Sequence, residues 1–376
     1  MVYFAKACGI ARFAWNWGLA KWKEAYKEGK KPNGLSLKKE FNALKETEFP
    51  WVYEVTKYAS QQPFINLQRA HNAFFQKRAK YPKFKKKGIH DSFYIGGDQL
   101  IVTGKKVKIP NLGWVRLRES LRFNGKINGA VISQSAGKWF ISISVATTEQ
   151  PVLCESQASV GVDLGIKTLA TLSDGITIEN HKPLNRQLRQ LRRYQRRLSK
   201  KRKGSHNYHK AKRHVAKVHH EVSCKRSDLL HKLTAMLTSN YRKIVIEDLD
   251  ISQMVKNKRL SRDILDGGWY EFRRQLSYKA ELRGNKIFIA DKWFASSKKC
   301  SCCGSYKKEL PLSERTYRCS SCQLEMDRDL NAAKCLEQLV STASFAGIEA
   351  CGQDGSVIKL KSVSQPAWMN QELSPV

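Results

Sequence analysis

Apolar side chains recur at helical spacing through residues 1 to about 90. At intervals of four, three and four residues, one helix face is predicted to carry Trp15, Leu19, Trp22 and Tyr26. The pattern continues through Phe64, Leu67 and Phe74, and Pro82 is expected to end it. We interpret this aromatic stripe as protein core rather than as a surface that stacks bases. The region is therefore predicted to be helical.

The apolar pattern shortens between about 92 and 150, where Gly, Asn and Pro interrupt it. The run 139–145, WFISISV, alternates as a half-buried strand does. Several short strands of this kind predict a small antiparallel barrel or sheet. Residues 158–180 predict two further strands around a turn.

A second helical region is predicted at 184–238. A heptad-like seam runs through its first half at Leu184, Leu188, Leu191 and Leu198, and GSHN at 204–207 predicts a hairpin turn. Fourteen Lys or Arg residues and no acidic residue lie between Arg186 and Lys217. Because acidic partners are missing, a nucleic-acid contact is favoured over a merely solvated face. The candidate contacts are Arg189, Arg192, Arg193, Arg196, Arg197, Lys200 and Lys201.

A shorter basic segment, YPKFKKKG at 81–88, mixes aromatic residues with lysines. Stacking on bases combined with phosphate contacts is one use of such a segment, and a solvated loop is the other. The sequence leaves both open. Its candidate nucleic-acid contacts are Lys83, Lys85 and Lys86.

The remaining pattern predicts one buried strand in RKIVIEDLD at 242–250 and mixed helix to about 285. A further helix is expected to begin near residue 330. Beyond about 355 the chain has no period, and this tail is expected to be disordered.

The net charge of the chain says more about its partners than its length does. The 376 residues contain 68 Lys or Arg against 33 Asp or Glu, a formal net charge of +35. So large an excess repels itself in a compact protein unless a polyanion neutralises it, and nucleic acid is the natural partner. No run reaches the roughly 20 apolar residues of a membrane span, and the N-terminal residues MVYFAKACGIARF lack the long apolar segment of a secretory signal. We expect a cytoplasmic, nucleoid-associated protein without a membrane partner.

Four of the ten cysteines have the spacing of a metal site. Two C-x-x-C pairs, separated by fifteen residues, are formed by Cys300, Cys303, Cys319 and Cys322. Two such knuckles on a hairpin supply the tetrahedral thiolates of one structural Zn²⁺. The other six are interpreted as buried small hydrophobes, or for Cys302 as a bystander: Cys8, Cys154, Cys224, Cys302, Cys335 and Cys351.

Three acidic residues lie where a carboxylate is costly. Asp163 interrupts an apolar strand, Glu247 ends the run IVIE on the face of Val245, and Asp329 lies at a helix start. Each has an ordinary explanation taken alone. Asp163 could begin a turn, Glu247 could pair with an arginine, and Asp329 or Asp327 could cap the helix. Together, in so basic a chain, they match a site in which Mg²⁺ or Mn²⁺ ions cleave a phosphodiester.

Four motifs in this order carry a family resemblance: GVDLGIKTLATLSDG, IVIEDLDI, the paired C-x-x-C and DRDLNAA. The combination resembles the TnpB family, whose members are encoded by insertion sequences and related to type V CRISPR effectors. GKWFISISV, RRLSKKRKGS and KNKRLSRDILDGGW fit the same family, and the likeness runs from about residue 8 to 350.

The resemblance implies an α/β fold combined with all-α and small β units. It implies a helical recognition lobe at 1–91, followed by a small oligonucleotide-binding-type β-barrel at 92–152. An RNase H-like RuvC nuclease would follow in two parts, the first at 153–292 with a basic hairpin at 184–238 and the last at 326–354. A zinc-ribbon insert at 293–325 would separate these parts, and a disordered tail would occupy 355–376.

The resemblance also implies an RNA-guided DNA endonuclease whose Mg²⁺ ligands are Asp163, Glu247 and Asp329. Asp329 is preferred to Asp327 because the family's acid precedes x-N-A-A. The implied partners are a guide RNA from the transposon end, with one chain per RNA, and double-stranded target DNA beside a short protein-read motif. The alternatives are a guide-RNA-bound regulator or a transposition accessory protein with little or no cleavage.

Overall fold

In the computed structural model, the described part of the chain comprises residues 2–147, 152–311 and 313–343, with the backbone of three short strands beyond. These residues form two compact units, one within 2–147 and one from 152 onward. No helix among the described residues is long and apolar enough to cross a membrane.

Three helices build the core of the first unit: α1 (Val2–Lys27), α2 (Gly34–Leu44) and α3 (Lys57–Phe75). The predicted stripe on α1 is buried at Trp15, Leu19 and Trp22, which confirms its role in the core. Tyr26, the fourth residue of the predicted stripe, is not part of the core, because it lies in the last turn of α1 and is 65% exposed. Gly18 lets the two long helices approach, since a Cβ there would lie 2.9 Å from the Phe64 ring.

Helix α3 ends at Phe75, seven residues before the proline expected to stop it. Its end is set by Lys77, whose φ of 56° is left-handed, and the Arg78 N–H donates to the Ala73 carbonyl at 2.9 Å. A left-handed residue that closes the last turn ends a helix without help from proline.

The described strands of residues 92–146 form two open antiparallel sheets, one of the two outcomes that the pattern left open, and not the barrel that the resemblance implies. The first sheet has the strand order β1-β5-β6 and the second β2-β3-β4. The strands are β1 (Ser92–Gly96), β2 (Ile101–Thr103), β3 (Lys106–Ile109), β4 (Gly113–Arg116), β5 (Lys126–Ser135) and β6 (Lys138–Ala146). A barrel needs every strand to pair on both sides. Here β2–β4 have only three or four residues, and no strand spans 117–125, so the described strands close no barrel.

The second unit is built on one mixed sheet with the order β16-β11-β10-β7-β8-β9. Strands β7, β10 and β11 are parallel neighbours, whereas β8, β9 and β16 run antiparallel to theirs. Their bounds are β7 (Ser159–Leu164), β8 (Thr168–Leu172), β9 (Thr177–Glu179), β10 (Lys243–Glu247), β11 (Lys286–Ala290) and β16 (Lys361–Ser362). The sequence predicted two strands at 158–180, and the structure has three.

Helices cover both faces of this sheet. The predicted basic hairpin is present as α4 (Pro183–Ser199) and α5 (His206–Asn240), with Leu191 buried between them. The connection from β10 to β11 contains α6 (Ile251–Met254), α7 (Ser261–Gly267) and α8 (Trp269–Arg283). The other face is covered by α9 (Arg328–Ala343).

Alternation along the strands decides which residues meet which helix. On β10, Ile244 and Ile246 pack in the cluster formed with α5 and α8, whereas Val245 packs against α9. On β7, Gly161 faces α9, since a Cβ there would lie 1.9 Å from the Ala333 carbonyl oxygen. Only glycine permits so close an approach of helix and strand.

A small hairpin precedes α9, formed by β12 (Thr316–Arg318) and β13 (Glu325–Asp327). After α9 the described backbone includes β14 (Ala350–Cys351) and β15 (Val357–Ile358). Of the tail predicted to be disordered, only β15 and β16 lie within the described residues.

Candidate active site and zinc module

Asp163 and Glu247 lie side by side at the carboxyl ends of two neighbouring parallel strands. The register pairs Val162 with Ile246, so the two acids occupy the next position along β7 and β10. Each is two residues beyond one that faces α9, Gly161 or Val245, and side chains two apart share a face. Both carboxylates therefore lie on the face that α9 covers.

Asp329 reaches the same face from the first turn of α9. Asp327 caps the helix, because its Oδ1 accepts hydrogen bonds from the backbone N–H groups of Asp329 at 2.9 Å and Leu330 at 3.1 Å. One oxygen of the Asp327 carboxylate is thus engaged by the backbone. The charge of Asp329, and to a smaller extent that of Asp327, raises the pKa of Asp163.

The three carboxylates interact electrostatically. Burial raises the pKa of Asp163 well above its usual range, and the negative charges of Glu247 and Asp329 raise it further. Burial also raises the pKa of Glu247, a hydrogen bond from Ser296 lowers it, and Asp329 raises it again. Like charges brought together in a partly desolvated site disfavour ionisation unless a cation joins them.

Two residues that the sequence reasoning missed contact these acids. The Ser296 hydroxyl, 4% exposed, donates a hydrogen bond to Oε1 of Glu247. The Arg328 guanidinium lies 3.4 Å from Oδ1 of Asp329, and its charge lowers the pKa of Asp163. Arg328 belongs to the DRDLNAA motif quoted above, whereas no pattern in the sequence marks Ser296.

The donor set suits a hard divalent cation, since carboxylate oxygens are the ligands that Mg²⁺ and Mn²⁺ prefer. Burial is the largest cause of the raised pKa values of Asp163 and Glu247, and the charge of Arg328 and the Ser296 hydroxyl each offset part of the increase. The carboxylate oxygens of Asp163, Glu247 and Asp329 do not all lie within 4.8 Å of one another. Among the described residues, the four cysteines are the only group of three or more candidate ligands with all ligand atoms within 4.8 Å of one another.

Those cysteines fit the predicted zinc site. The Sγ atoms of Cys300 and Cys322 are 3.6 Å apart, and those of Cys303 and Cys319 are also 3.6 Å apart. Each knuckle ends in a left-handed residue directly after its second cysteine, Gly304 at φ 77° and Gln323 at φ 61°. Four sulfur ligands in this arrangement can hold one metal ion, and such a set is compatible with a zinc ribbon.

The cysteine module that contains these four residues is joined to the helix that carries Asp329. The buried Asn331 side chain accepts from the Ser301 N–H at 2.9 Å and donates to the Lys299 carbonyl at 2.7 Å. In the sequence, Asn331 served only as part of the x-N-A-A pattern by which Asp329 was chosen. In the structure it fixes the first cysteine knuckle two residues from that acid.

The other cysteines divide by burial. Cys8, Cys154 and Cys335 are buried, as predicted for small hydrophobes. Cys224 is half-buried, with its Sγ 3.6 Å from Nε2 of His220. Cys302 is exposed and lies outside the cysteine group, which agrees with a bystander. The side chain of Cys351 lies outside the described residues.

Helix α4 gathers most of the predicted basic contacts on one face. Spacings of three and one residues bring six side chains to a single open depression, lined by Arg189, Arg192, Arg193, Arg196, Arg197 and Lys200. We call these six the basic face of α4. Lys201 follows the end of the helix and is exposed. Tyr194 ties α4 to α5 by stacking on His214, with ring centroids 5.4 Å apart.

The 81–88 segment runs along α1. The indole N–H of Trp15 donates to the Lys83 carbonyl at 3.0 Å, and the Lys85 N–H donates to the Asn16 side chain at 2.7 Å. The Lys85 ammonium lies 4.4 Å from the centre of the Trp15 ring, and burial lowers its pKa. Lys83, Lys85 and Lys86 are all exposed. Of the three predicted contacts here, Lys85 is the one whose ammonium lies over the Trp15 ring.

Three family models match the chain. The model described as "Probable transposase" (OrfB_IS605) matches residues 142–258, and "Cas12f1-like, TNB domain" matches 269–336. The third, "Helix-turn-helix domain", matches 2–31, most of which is the single helix α1. The first two matches together include Asp163, Glu247, Asp329 and the four cysteines.

Curated relatives agree with these matches. The Escherichia coli (strain K12) protein named "Putative RNA-guided DNA endonuclease InsQ" is 36% identical over 368 residues, 93% of this chain and 89% of that protein. A Streptomyces pristinaespiralis protein named "Putative RNA-guided DNA endonuclease" is 36% identical over 82% of this chain and 76% of its own length. The Cas12f1 endodeoxyribonuclease of Sulfoacidibacillus thermotolerans is 22% identical over 52% of this chain and 49% of that protein. With relatives matched at this identity over nearly its full length, the chain belongs to the TnpB family of insertion-sequence proteins.

Proposed function

We propose that this protein is an RNA-guided DNA endonuclease of an insertion sequence, and that it cuts at the carboxylates Asp163, Glu247 and Asp329. The names of its relatives support the reaction class. The observation that carries the site assignment is the convergence of three acids from β7, β10 and α9 on one face of the sheet.

The residues of the site have distinct tasks in this proposal. Asp163 and Glu247 are held by rigid parallel strands, so they form the fixed part of the cation site. Asp329 completes it from the helix, where Asp327 and Asn331 fix the local backbone. Ser296 orients Glu247 through its hydroxyl. Bound Mg²⁺ or Mn²⁺ would supply charge neutralisation and an activated water for phosphodiester hydrolysis.

In this proposal the six-stranded sheet with helices on both faces is the RuvC-like, RNase H-like nuclease. The division into recognition lobe, strand-rich region, nuclease and zinc-ribbon insert follows the boundaries given above. The cysteine module takes one structural Zn²⁺, which holds the backbone on both sides of its knuckles and, through Asn331, the start of α9.

The nucleic-acid partners follow from charge. A net charge of +35 calls for a polyanion, and the basic face of α4 offers six cations to one stretch of backbone. We assign a guide RNA from the transposon end and a double-stranded DNA target as partners, with one chain per RNA and action at the nucleoid. Base pairing with the guide would select the target, while the protein reads a short adjacent motif.

The test expresses the protein with its native flanking DNA, washes it at high salt and sequences the retained RNA. The loaded protein is then incubated with Mg²⁺ and plasmids that carry the matching target beside a randomised flank. We expect one dominant RNA that ends at the transposon boundary, and linearised plasmids that share a flanking motif. A random RNA mixture would contradict the guide. A defined RNA without cleavage would favour the guide-bound regulator instead.

A further inference from the structure

We propose that Trp293 is a substrate-binding residue of the nuclease, a platform on which one base of the single-stranded DNA entering the site stacks. This inference rests on the proposed function and adds a contact beyond the carboxylates.

Trp293 is the most exposed of the large apolar residues among those described, at 81% exposure. Water contact over so much indole is costly for a side chain that usually buries most of its surface. Its neighbour Phe294 turns the other way and packs with Val245 and Ala290 beneath α9. The segment thus has an anchored ring and an outward ring in successive positions.

Hydrogen bonds fix the backbone on both sides of Trp293, so the point from which the exposed ring projects is defined. The Asp291 side chain accepts from the Trp293 N–H at 2.8 Å, and the Asp291 carbonyl accepts from the Phe294 N–H at 2.9 Å. Two residues after Phe294, Ser296 donates to Glu247. Both ends of the segment are tied to the sheet or to the site itself.

Register places Trp293 at the same end of the sheet as the acids. Ala290, the last residue of β11, pairs with Glu247, and Trp293 follows three residues later. With strands about 5 Å apart and at most about 3.6 Å per residue, the Cα of Trp293 lies within roughly 16 Å of that of Glu247. Four or five stacked nucleotides, at about 3.4 Å each, span this distance.

Charge around the ring suits a nucleic-acid strand. The Lys292 ammonium lies 4.7 Å from the centre of the Trp293 ring. An aromatic face beside a cation is the pairing by which proteins hold single strands, because every base has a stacking face and every nucleotide a phosphate. A single strand fits better than a duplex, since paired bases offer no free face.

The first test measures single-turnover cleavage by guide-loaded protein under Mg²⁺. Trp293→Ala should slow cleavage by about 5- to 100-fold, the range that loss of one stacked base produces, and leave target affinity unchanged. Trp293→Tyr should restore most of the rate, and Trp293→Leu should not. Trp114→Ala, at a tryptophan that is 53% exposed in the other unit, is the matched control and should cut like wild type.

Substrates with one abasic site, moved in steps across the cut region, locate the stacked base. The cleavage rate of wild type should fall when the abasic site is at one particular position. The cleavage rate of Trp293→Ala should be the same with the abasic site at that position as with the intact substrate. Equal rates for wild type and Trp293→Ala, or identical abasic profiles, would overturn the proposal while the endonuclease assignment stands.

A binding measurement keeps the inference separate from cutting. The measurement uses single-stranded DNA with 2-aminopurine near the cut position, bound to Asp163→Asn protein. The 2-aminopurine fluorescence should be quenched when Trp293 is present, and it should be higher in the double variant that also carries Trp293→Ala. If wild type never cuts but this difference is found, the inference holds and the proposed function fails. If cutting occurs and neither readout depends on Trp293, the inference fails alone.

Discussion

The Ser296 hydroxyl donates a hydrogen bond to Oε1 of Glu247, 49 residues earlier in the chain. Removing a partner that orients a metal ligand typically costs 10- to 100-fold in metal affinity or activity. We therefore expect Ser296→Ala to raise the Mg²⁺ concentration for half-maximal cleavage by about tenfold or more, with recovery at high Mg²⁺. Ser296→Thr should behave like wild type. Ser199→Ala, where the exposed hydroxyl meets only the Arg196 carbonyl, is the control. An unchanged Mg²⁺ titration would show that this bond does not position Glu247.

The basic face of α4 should contribute to nucleic-acid affinity through phosphates. Arg192→Ala combined with Arg196→Ala should weaken binding and lower the slope of log affinity against log salt by about one per arginine. Measured from 50 to 300 mM salt, Arg122→Ala serves as the control, because that side chain pairs with Glu119 on the surface. A salt slope equal to that of wild type would exclude the basic face from the interface.

His71 should make the first unit sensitive to acid. Its ring stacks on Trp22 at 4.0 Å, and neither ring nitrogen has a hydrogen-bond partner among the described residues. Burial lowers its pKa from 6.5 to about 4. The folded state therefore disfavours the proton that the unfolded chain accepts, so stability is full above pH 6.5 and falls as the pH drops toward 4.

We expect this residue to account for roughly 1–3 kcal/mol of lost stability between pH 6.5 and 4. His71→Phe keeps the ring contacts and should remove that part of the pH dependence of the unfolding midpoint. His219→Phe, at an exposed histidine, should retain it. A His71→Phe profile that falls as steeply as wild type would assign the acid sensitivity elsewhere.

The cysteine module gives a clear metal prediction. Cys319→Ser should lose the zinc and lower the unfolding temperature of the protein, because three thiolates no longer complete the tetrahedron. Cys302→Ser changes an exposed cysteine outside the group and should keep one zinc per chain. Elemental analysis of purified protein measures both. Zinc retained by Cys319→Ser, or lost by Cys302→Ser, would show that the ligand set is wrong.

Alternation in the sequence was sufficient to place the strand acids. Val160 and Val162 predicted the strand in which Asp163 stands, and Val245 predicted the face of Glu247. Spacing likewise predicted that the four cysteines would converge. These features depend on local periodicity, which the chain carries in itself. The capping role of Asp327 depends instead on backbone geometry, and only the structure shows that its Oδ1 accepts from N–H groups in the first turn of α9. The choice of Asp329 as the third ligand stays a prediction.

The sequence was less informative where tertiary pairing decides. The sequence pattern of the strands in residues 92–146 is the same for a closed barrel and for open sheets, because closure depends on which strand edges pair. Tyr26 continues the helical period of Trp22 but lies past the packing partners of α1. Ser296 could not be found either, since a single serine in a loop has no periodicity and its partner is remote in sequence.

The most direct measurement compares cleavage by wild type and Asp163→Ala, each loaded with the same guide RNA and given a matching target in Mg²⁺. Asp228→Ala, at an exposed acid paired with Lys232, is the control. The carboxylate site predicts that Asp163→Ala abolishes cleavage while RNA and target binding stay near wild type, and that Asp228→Ala cuts normally. Cleavage by Asp163→Ala at the wild-type rate would contradict the assignment of this site.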